Sequence, residues 1–235
     1  VDLTPRMRRI TVGGPELAGF ISLGSDDHVK LFFPQNQQEL SALETLELGA
    51  GKKTDTMPPM RDYTPRRYDL DTLELDIDFV LHGDGPAATW AAQAKPGQFL
   101  HIGGPRGSMV VPDIFDSYLL IGDETALPAI ARRLEELPGN RRALVVVEVE
   151  NALEEQTLDS AAAVEVIWVH RDDPEHDLLK TVEGLTMPPG TLYAWVATES
   201  TLSRKVRRVL LDTHGLNDEF VKAAGYWRLE GSTED

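Results

Sequence analysis

The sequence predicts an α/β protein of two domains, an antiparallel β-barrel followed by a domain built on a parallel sheet. Residues 1–111 contain short extended runs that Gly, Pro and Asp interrupt, which is typical of small all-β domains. From about residue 117, apolar strand-like runs alternate with amphipathic helical runs, which indicates βα units. A chain of 235 residues is long enough for two such domains. We place the boundary within residues 110–116 and expect the domains to span 1–114 and 115–235.

The first domain contains four predicted strands, with the sequences RRITVGG, HVKLFFP, LELDIDFVLHG and GQFLHIGG. The clearest is Leu73–His82, in which two sets of residues alternate strictly. One face carries Leu73, Leu75, Ile77, Phe79 and Leu81, and the other carries Glu74, Asp76, Asp78, Val80 and His82. Such alternation is typical of a strand with one buried face. Several strands of this kind with turns between them predict a small antiparallel barrel.

The second domain alternates strands and helices along the chain. Its predicted strands are SYLLIG, ALVVVEVE, VEVIWVH and LYAWVATE, and its predicted helices are TALPAIARRLEEL, HDLLKTVEGL and STLSRKVRRVLLDTHG. The first of these helices has apolar residues at positions 127, 130, 131, 134 and 137, which form one face. The pattern predicts a parallel sheet with helices on both faces.

Composition excludes several classes of function. A formal net charge of -16 argues against a general surface for nucleic acid or anionic membranes. The absence of cysteine excludes disulfides, thiolate zinc sites, iron–sulfur clusters and a cysteine nucleophile, and it is compatible with a reducing cytoplasm. No apolar run reaches the roughly 18 residues of a membrane span, and no group of His and carboxylates has the spacing of a metal site. The start, VDLTPRMRRI, lacks the apolar region of a signal peptide and lies inside a predicted strand, so we expect residues to be missing before Val1.

The segment MRDYTPRRYD concentrates arginine and tyrosine in an acidic chain. If it is extended, Arg61 and Tyr63 share a face, Thr64 lies opposite, and Pro65 bends the chain outward. Tyr63 can then lie on an aromatic ring system, Thr64 can contact the edge of that ring, and Arg61 can reach a phosphate. The alternative is an exposed edge strand whose arginines balance nearby acids.

The segment HGDGPAATWAAQA, residues 82–94, follows directly on the alternating strand. Pro86 suits the first position of a helix, and the small residues at 87 and 88 leave the free N–H groups accessible to an anion such as a pyrophosphate. An ordinary helix start after a glycine turn is the alternative. His82 shares the polar strand face with Asp78, and on the residues alone it is a structural histidine.

Two further segments join a strand end to a helix start, where open α/β sheets bind ligands. In LLIGDETALPAI, Asp123 or Thr125 is either a ligand contact or a plain helix cap. In VATESTLSRKVRRVL, Glu199 and Ser200 lie at the junction, and the arginines that follow fit a solvated helix face. Neither segment is a GxGxxG or Walker A motif.

In chain order, these segments and TPRMRRITVGGPELAGF, PGQFLHIGGPRGS and AAGYWRLEG closely resemble the siderophore-interacting protein family. That family comprises FAD-dependent ferric-siderophore reductases related to the ferredoxin–NADP reductases. The resemblance implies an FAD-binding barrel of the ferredoxin reductase type, followed by a Rossmann-like NAD(P)H domain whose C-terminal segment lies near the flavin. It also implies hydride transfer to flavin N5 and single-electron reduction of Fe(III) to Fe(II), with no catalytic residue and no bound metal of the protein's own.

The resemblance assigns roles to residues that match the family's motifs. For the flavin ring and its phosphate these are Arg61, Tyr63 and Thr64; for the strand beside the isoalloxazine and adenine, Asp78, Val80 and His82; for the pyrophosphate turn, Ala87, Ala88, Thr89 and Trp90. For the nicotinamide nucleotide they are Asp123, Thr125 and Ala126 in one loop, and Glu199 and Ser200 at the later strand end.

The siderophore and the nicotinamide donor are less defined. Candidate siderophore contacts are Arg106, Lys222 and Arg228, with Lys52 and Lys53 in the loop before the flavin segment, although the C-terminal tail is acidic where family members often carry basic residues. Glu148 and Glu150 would favour NADH, whereas Arg171 and Arg204 would favour NADPH. We expect NADPH.

The resulting hypothesis is a cytoplasmic, monomeric NAD(P)H-dependent ferric-siderophore reductase with FAD, whose partner is its small-molecule substrate and neither nucleic acid nor membrane. One alternative is a flavin reductase or diaphorase of the same superfamily with another acceptor. Another is a non-catalytic siderophore-binding carrier that has kept the fold.

Overall fold

The computed structural model describes residues 1–45 and 56–229 and divides into two compact units. The first unit comprises Arg6–Met109 with Val1. The second comprises the chain from Val110 onward, together with the segment Asp2–Pro5 that carries the short strand β1 (Asp2–Thr4). No helix in the described ranges is long and apolar enough to cross a membrane.

The described residues of the first unit form six strands and two α-helices. They are β2 (Met7–Gly13), β3 (Val29–Phe32), α1 (Gln37–Glu44), β4 (Met60–Tyr63), β5 (Arg67–Asp69), β6 (Glu74–Val80), α2 (Pro86–Gln93) and β7 (His101–Gly103). The strands form two antiparallel sheets, one with the order β2–β6–β5 and one with the order β4–β3–β7. The predicted barrel therefore takes the form of two sheets around one core.

Strand β6 has the alternation that its sequence predicts. Leu75, Ile77 and Phe79 are fully buried in the core, because every second side chain of a strand points to the same face. The opposite face is covered by arginines: Asp78 accepts two hydrogen bonds from Arg9, at 2.7 and 2.8 Å. Asp78 and Asp76, which pairs with Arg67, are therefore buried as ion pairs.

The segment MRDYTPRRYD connects the two sheets. Strand β4 lies at the edge of its sheet, and the chain leaves it at Thr64 and Pro65, both buried, to continue as β5 in the other sheet. The backbone N–H of Arg66 already donates to the carbonyl of Asp76 on β6, at 2.9 Å. The edge strand and the proline bend that the sequence predicts are both present.

Helix α2 starts at Pro86, as predicted, because the fixed φ of proline suits the first turn and its missing N–H is not needed there. Its other end is held by Arg8, whose Nη1 donates to the carbonyls of Ala91 and Ala92, both at 3.1 Å. A cation near the C-terminal carbonyls of a helix also interacts favourably with the helix dipole. Arg8 thus fixes the position of the helix from its C-terminal side.

From Val110 onward, the described part of the second unit contains five strands and three α-helices. They are β8 (Ser117–Asp123), α3 (Leu127–Glu136), β9 (Arg142–Val149), β10 (Ala163–His170), α4 (Leu178–Glu183), β11 (Leu192–Glu199), α5 (Ser200–Asp212) and β12 (Val221–Trp227). The strands form one parallel sheet with the order β10–β9–β8–β11–β12. Leu119 and Ile121 on one face pack with α4 and α5, whereas Gly122 lies on the other face against α3. The parallel sheet and the helices on both faces confirm the prediction.

Local sequence patterns did not predict three elements of this fold: α1, β12 and the three-residue strand β5. Helix α1, with the sequence QQELSALE, has no clear apolar face, and its start is marked by the side chain of Asn36, which accepts from the N–H of Glu39. Strand β12, with the sequence VKAAGYW, contains Ala and Gly, which have low β propensity. It is a strand because its backbone pairs with β11 along the sheet edge.

Candidate functional site

The first unit has a candidate site at the end of β4. The ring of Tyr63 packs against Phe79 with centroids 4.6 Å apart, and burial raises the pKa of Tyr63 to about 12 despite the nearby charge of Arg61. Arg61 is exposed, and the hydrogen bond found for it among the described residues runs from Nη1 to the carbonyl of Met60, at 2.8 Å. Registers with β3 place both side chains on one face, as the sequence predicts. Tyr63 therefore offers a fixed aromatic surface beside an arginine with unused N–H groups.

The predicted flavin residues on and after β6 differ in accessibility. Asp78 is buried, and its carboxylate is paired with Arg9, while Nε of Arg66 lies 4.0 Å from Oδ2. The charge of the Asp78 carboxylate is therefore already balanced by arginine side chains. Val80 is half-buried and His82 is exposed. A ligand along this strand can therefore reach Val80 and His82 more easily than the Asp78 carboxylate.

The N-terminus of α2 is open. Its cap residue, Gly85, contributes no side-chain hydrogen bond, and a Cβ built there would meet no atom within 4 Å. Ala87 and Ala88 are buried, Thr89 is exposed, and Trp90 packs on Phe79 with ring centroids 5.7 Å apart. Unpaired N–H groups and the positive end of the helix dipole bind phosphate groups, and the pyrophosphate of a dinucleotide fits this arrangement.

The second unit has its own candidate site, at the point where the strand order of the parallel sheet reverses. Strand β8 is followed on one side by β9 and β10 and on the other by β11 and β12. Ligands of open α/β sheets bind in the crevice outside the carboxyl ends of the two strands at this switch point. Those ends carry Asp123 and Glu199, two of the predicted nucleotide residues.

Asp123 is 2% exposed and accepts hydrogen bonds from three donors. The N–H and Oγ1 of Thr125 donate to Oδ1, at 2.9 and 2.5 Å, and Nε1 of Trp227 donates to Oδ2, at 2.7 Å. Burial raises the pKa of the Asp123 carboxyl, with the hydrogen bonds from Thr125 and Trp227 opposing that effect. Asp123 therefore ties the ends of β8 and β12 together across the end of β11.

Neither Asp123 nor Thr125 caps helix α3, so that alternative is excluded. The cap residue is Ala126, which is fully buried and contributes no side-chain hydrogen bond. The backbone N–H of Ala126 instead donates to the carbonyl of Asp123, at 2.9 Å. This backbone bond closes the turn between β8 and α3. No side chain of the cap residue bonds the first N–H groups of the helix.

Glu199 caps α5 and retains one unused oxygen. Its Oε2 accepts from the N–H groups of Thr201 and Leu202, at 2.7 and 3.0 Å. Its Oε1 is buried, and the described residues supply no hydrogen-bond donor to it. A buried oxygen without a partner is costly, so Oε1 is suited to accept an N–H from a bound ligand. The neighbouring Ser200 donates from Oγ to the carbonyl of Trp227, at 3.0 Å.

A cluster of charged residues lies beside this switch point. The guanidinium of Arg171 donates to both carboxylate oxygens of Glu124, at 2.5 and 2.7 Å, and to Glu148, at 3.0 Å. Glu150 approaches to 4.0 Å. Burial opposes the charge of Arg171, yet the bonds to Glu124 and the charges of Glu124 and Glu148 raise its pKa above the ordinary value.

The predicted siderophore residues lie on different parts of the chain. Arg106 is exposed in the first unit. Lys222 is half-buried near the start of β12, and Arg228 is exposed just beyond its end, roughly 20 Å away at the usual rise of a strand. Lys52 and Lys53 lie outside the described residues. Arg228 thus shares the carboxyl edge of the sheet with Asp123 and Glu199, whereas Lys222 lies near the opposite edge.

Sequence reasoning gave no role to Glu124, Trp227 or Gly122. Glu124 and Gly122 belong to the predicted nucleotide loop, so their position after a strand could have indicated a role in that site. The role of Trp227 depends on a contact with a residue 104 positions away, for which the local sequence carries no signal.

Comparison with known proteins identifies the family. A family model described as the siderophore-interacting FAD-binding domain matches residues 1–109, and a model described as siderophore-interacting protein matches residues 115–230. The chain belongs to the siderophore-interacting protein family. The two matches cover both units, so they confirm the family resemblance and the two-domain fold that the sequence predicted.

Individual relatives of this siderophore-interacting protein agree with the family match. It is 34% identical over 226 residues to the NADPH-dependent ferric-chelate reductase of Escherichia coli (strain K12), covering 95% of this chain and 87% of that protein. It is 30% identical over 241 residues to the ferric vibriobactin reductase ViuB of Vibrio cholerae, covering 99% and 88%. The crystal structure of a siderophore utilization protein from T. fusca is similar with a TM-score of 0.82 and 39% identity, covering 99% of this chain and 91% of that one.

The residues of this siderophore-interacting protein fit FAD in the first unit. Among the described residues, the start of α2 has no side-chain cap, which suits a phosphate group, and the ring of Tyr63 packs on Phe79. The second unit fits a nicotinamide dinucleotide, because its switch point presents the unpaired Oε1 of Glu199.

Proposed function

We propose that this chain is an NAD(P)H-dependent ferric-siderophore reductase that uses FAD. The observation that carries the proposal is the switch point of the second unit, where a buried oxygen of Glu199 has no hydrogen-bond donor among the described residues and can accept from a ligand N–H. The names of the relatives and the FAD-binding family match over residues 1–109 support the same reaction. When bound, FAD supplies the redox chemistry: it accepts a hydride from the nicotinamide and passes single electrons to Fe(III).

The residues of the chain bind and orient the two nucleotides. Arg61 binds a phosphate of FAD, Tyr63 lies against the flavin ring, and the N-terminus of α2 binds the pyrophosphate. In the second unit, Oε1 of Glu199 accepts a hydrogen bond from the nicotinamide carboxamide. Asp123, with Thr125 and Trp227, fixes the edge of the crevice. The side chains therefore position the two nucleotides, and none of them forms a covalent bond with a substrate.

The siderophore enters as a substrate that brings its own iron. With a formal net charge of -16, the protein does not attract an anionic ferric siderophore over long distances. Binding then depends on short-range contacts, for which Arg106 and Arg228 are the exposed candidates. The proposed protein is a monomer that acts in the cytoplasm, where reduced nicotinamide nucleotides are available.

The flavin-loaded protein tests the proposal under anaerobic conditions. NADH or NADPH is expected to bleach the visible flavin band, and a ferric catecholate or hydroxamate siderophore is expected to restore it while a ferrous chelator reports Fe(II). If neither nucleotide bleaches the band, the chain is a carrier. If bleaching occurs but no ferric siderophore reverses it, the chain is a diaphorase with another acceptor.

The variants Arg106→Ala and Arg228→Ala test the substrate contacts. Each is expected to raise the KM for an anionic ferric siderophore by about two- to fivefold, because an exposed charge contact contributes roughly 0.5–1 kcal/mol. Hydride transfer from the nicotinamide to the flavin should stay unchanged, and the increase should be smaller for a neutral hydroxamate complex. Arg208→Ala, which removes an exposed arginine of α5, is the matched control. Equal increases for anionic and neutral acceptors would show that these arginines act on the fold instead.

A further inference from the structure

We infer that Glu148 and Glu150, with Arg171 held between carboxylates, bind the adenosine ribose of the nicotinamide donor and make NADH the preferred donor over NADPH. The inference rests on the proposed function, since it concerns the same dinucleotide site. We call Glu124, Glu148, Glu150 and Arg171 the ribose cluster.

The sheet places the ribose cluster beside the switch point. Glu148 on β9 is in register with Asp123 at the end of β8, and Arg171 directly follows β10. In Rossmann-type sheets, an acidic residue about this far along the chain binds the ribose 2′-hydroxyl of NAD, and an arginine nearby binds the 2′-phosphate of NADP. Because this chain has both residue types here, the sequence alone leaves the choice open.

The ion pairs of Arg171 favour NADH over NADPH. Three of its five N–H groups already point to carboxylate oxygens: two bond Glu124, at 2.5 and 2.7 Å, and one bonds Glu148, at 3.0 Å. To bind a 2′-phosphate in its usual bidentate manner, Arg171 would have to leave Glu124 or Glu148 without its partner. Since a carboxylate that is partly buried and unpaired is costly, the exchange is unfavourable.

The net charge of the ribose cluster acts in the same direction. Three carboxylates and one guanidinium give a formal charge of -2. A 2′-phosphate adds further negative charge at short distance, whereas a 2′-hydroxyl adds none and can donate to a carboxylate. The side chain of Glu150 is 35% exposed and that of Glu148 is 15% exposed, so Glu150 is the more accessible acceptor.

Arg204, the other arginine that the sequence offers for a 2′-phosphate, lies on a different part of the sheet. It belongs to α5, which follows β11, and β11 is two strands from β9 in the sheet order. Two strands correspond to roughly 10 Å. Arg204 therefore follows a strand that is not adjacent to β9, whereas Arg171 follows β10, the direct neighbour of β9.

Calorimetric titration of the flavin-loaded protein with NAD⁺ and NADP⁺ tests the inference without relying on turnover. We expect NAD⁺ to bind on the order of tenfold more tightly, as one like-charge contact in a partly exposed site implies. The difference should narrow as salt is raised, because screening weakens the repulsion. Tighter binding of NADP⁺ would overturn the inference.

The variants Glu148→Gln and Glu150→Gln separate this role from a structural one. Each removes a charge while keeping a side chain of similar size, so each is expected to strengthen NADP⁺ binding several-fold. Because the carboxylate that accepts the ribose 2′-hydroxyl is lost, NAD⁺ binding is expected to weaken in Glu150→Gln. The matched control is Glu165→Gln, an exposed glutamate near the other end of β10, which should leave the ratio unchanged. If the ratio of NAD⁺ affinity to NADP⁺ affinity is unchanged in both Glu148→Gln and Glu150→Gln, the inference is overturned.

The same samples distinguish failure of the inference from failure of the proposed function. If NADP⁺ binds more tightly and NADPH bleaches the flavin, the reductase proposal stands and only the inference fails. If neither nucleotide binds and neither reduced form bleaches the flavin, both fail.

Discussion

Arg61→Ala is expected to lose most of its FAD during purification, and Tyr63→Ala is expected to bind FAD more weakly by about 1–3 kcal/mol. Arg61 is exposed beside Tyr63 on the same face, with N–H groups not used by the described residues, so it is placed to bind phosphate. Tyr63 is expected to lie against the flavin ring, and its removal also leaves a cavity beside Phe79. The ratio of flavin to protein absorbance after gel filtration measures the first effect, and fluorescence titration with FAD measures the second.

Two control variants make this result specific. Lys30→Ala removes a cation from the opposite face of the same sheet, where Lys30 pairs with Asp62, and it should keep its FAD. Tyr63→Phe keeps the ring and removes only the hydroxyl, so it should also stay yellow. If both alanine variants retain FAD with unchanged affinity, the flavin residues on β4 are wrongly assigned.

Gly122→Ala is expected to destabilise the protein by about 1–3 kcal/mol and to weaken binding of the nicotinamide nucleotide. A Cβ at this position would lie 3.1 Å from the carbonyl oxygen of Ala197 and 3.2 Å from Cδ1 of Ile130, and closer still to the Cβ of Ala126. Because β8 is the central strand and Asp123 follows directly, displacement of α3 would also move the edge of the crevice. Urea unfolding and calorimetric titration with NAD⁺ measure the two effects.

The control for this prediction is Gly184→Ala, where an added Cβ would meet only ordinary contacts at 3.6 and 3.7 Å. The double variant Gly122→Ala with Ala126→Gly should recover part of the lost stability, since it removes the nearest atom. An equal loss at both glycines, or no recovery in the double variant, would contradict the packing explanation.

The sequence was most informative where structure depends on local periodicity. The alternation of Leu75, Ile77 and Phe79 predicted β6, and the apolar positions 127, 130, 131, 134 and 137 predicted the buried face of α3. Strand β11 has the bounds that its apolar run predicted. In contrast, β12 was missed, because pairing with β11 and not its own composition makes it a strand.

The same division applies to the candidate site of the second unit. By itself, the sequence determined which loops follow strand ends, because apolar runs, glycines and prolines act within a few residues of one another. Only the tertiary structure decided the strand order that puts the switch point between β8 and β11, and which charges meet there. The bonds from Arg171 to Glu124 and from Trp227 to Asp123 join residues 47 and 104 positions apart. Such partners are chosen by the packing of whole strands and helices, and a local pattern of residues contains no information about that packing.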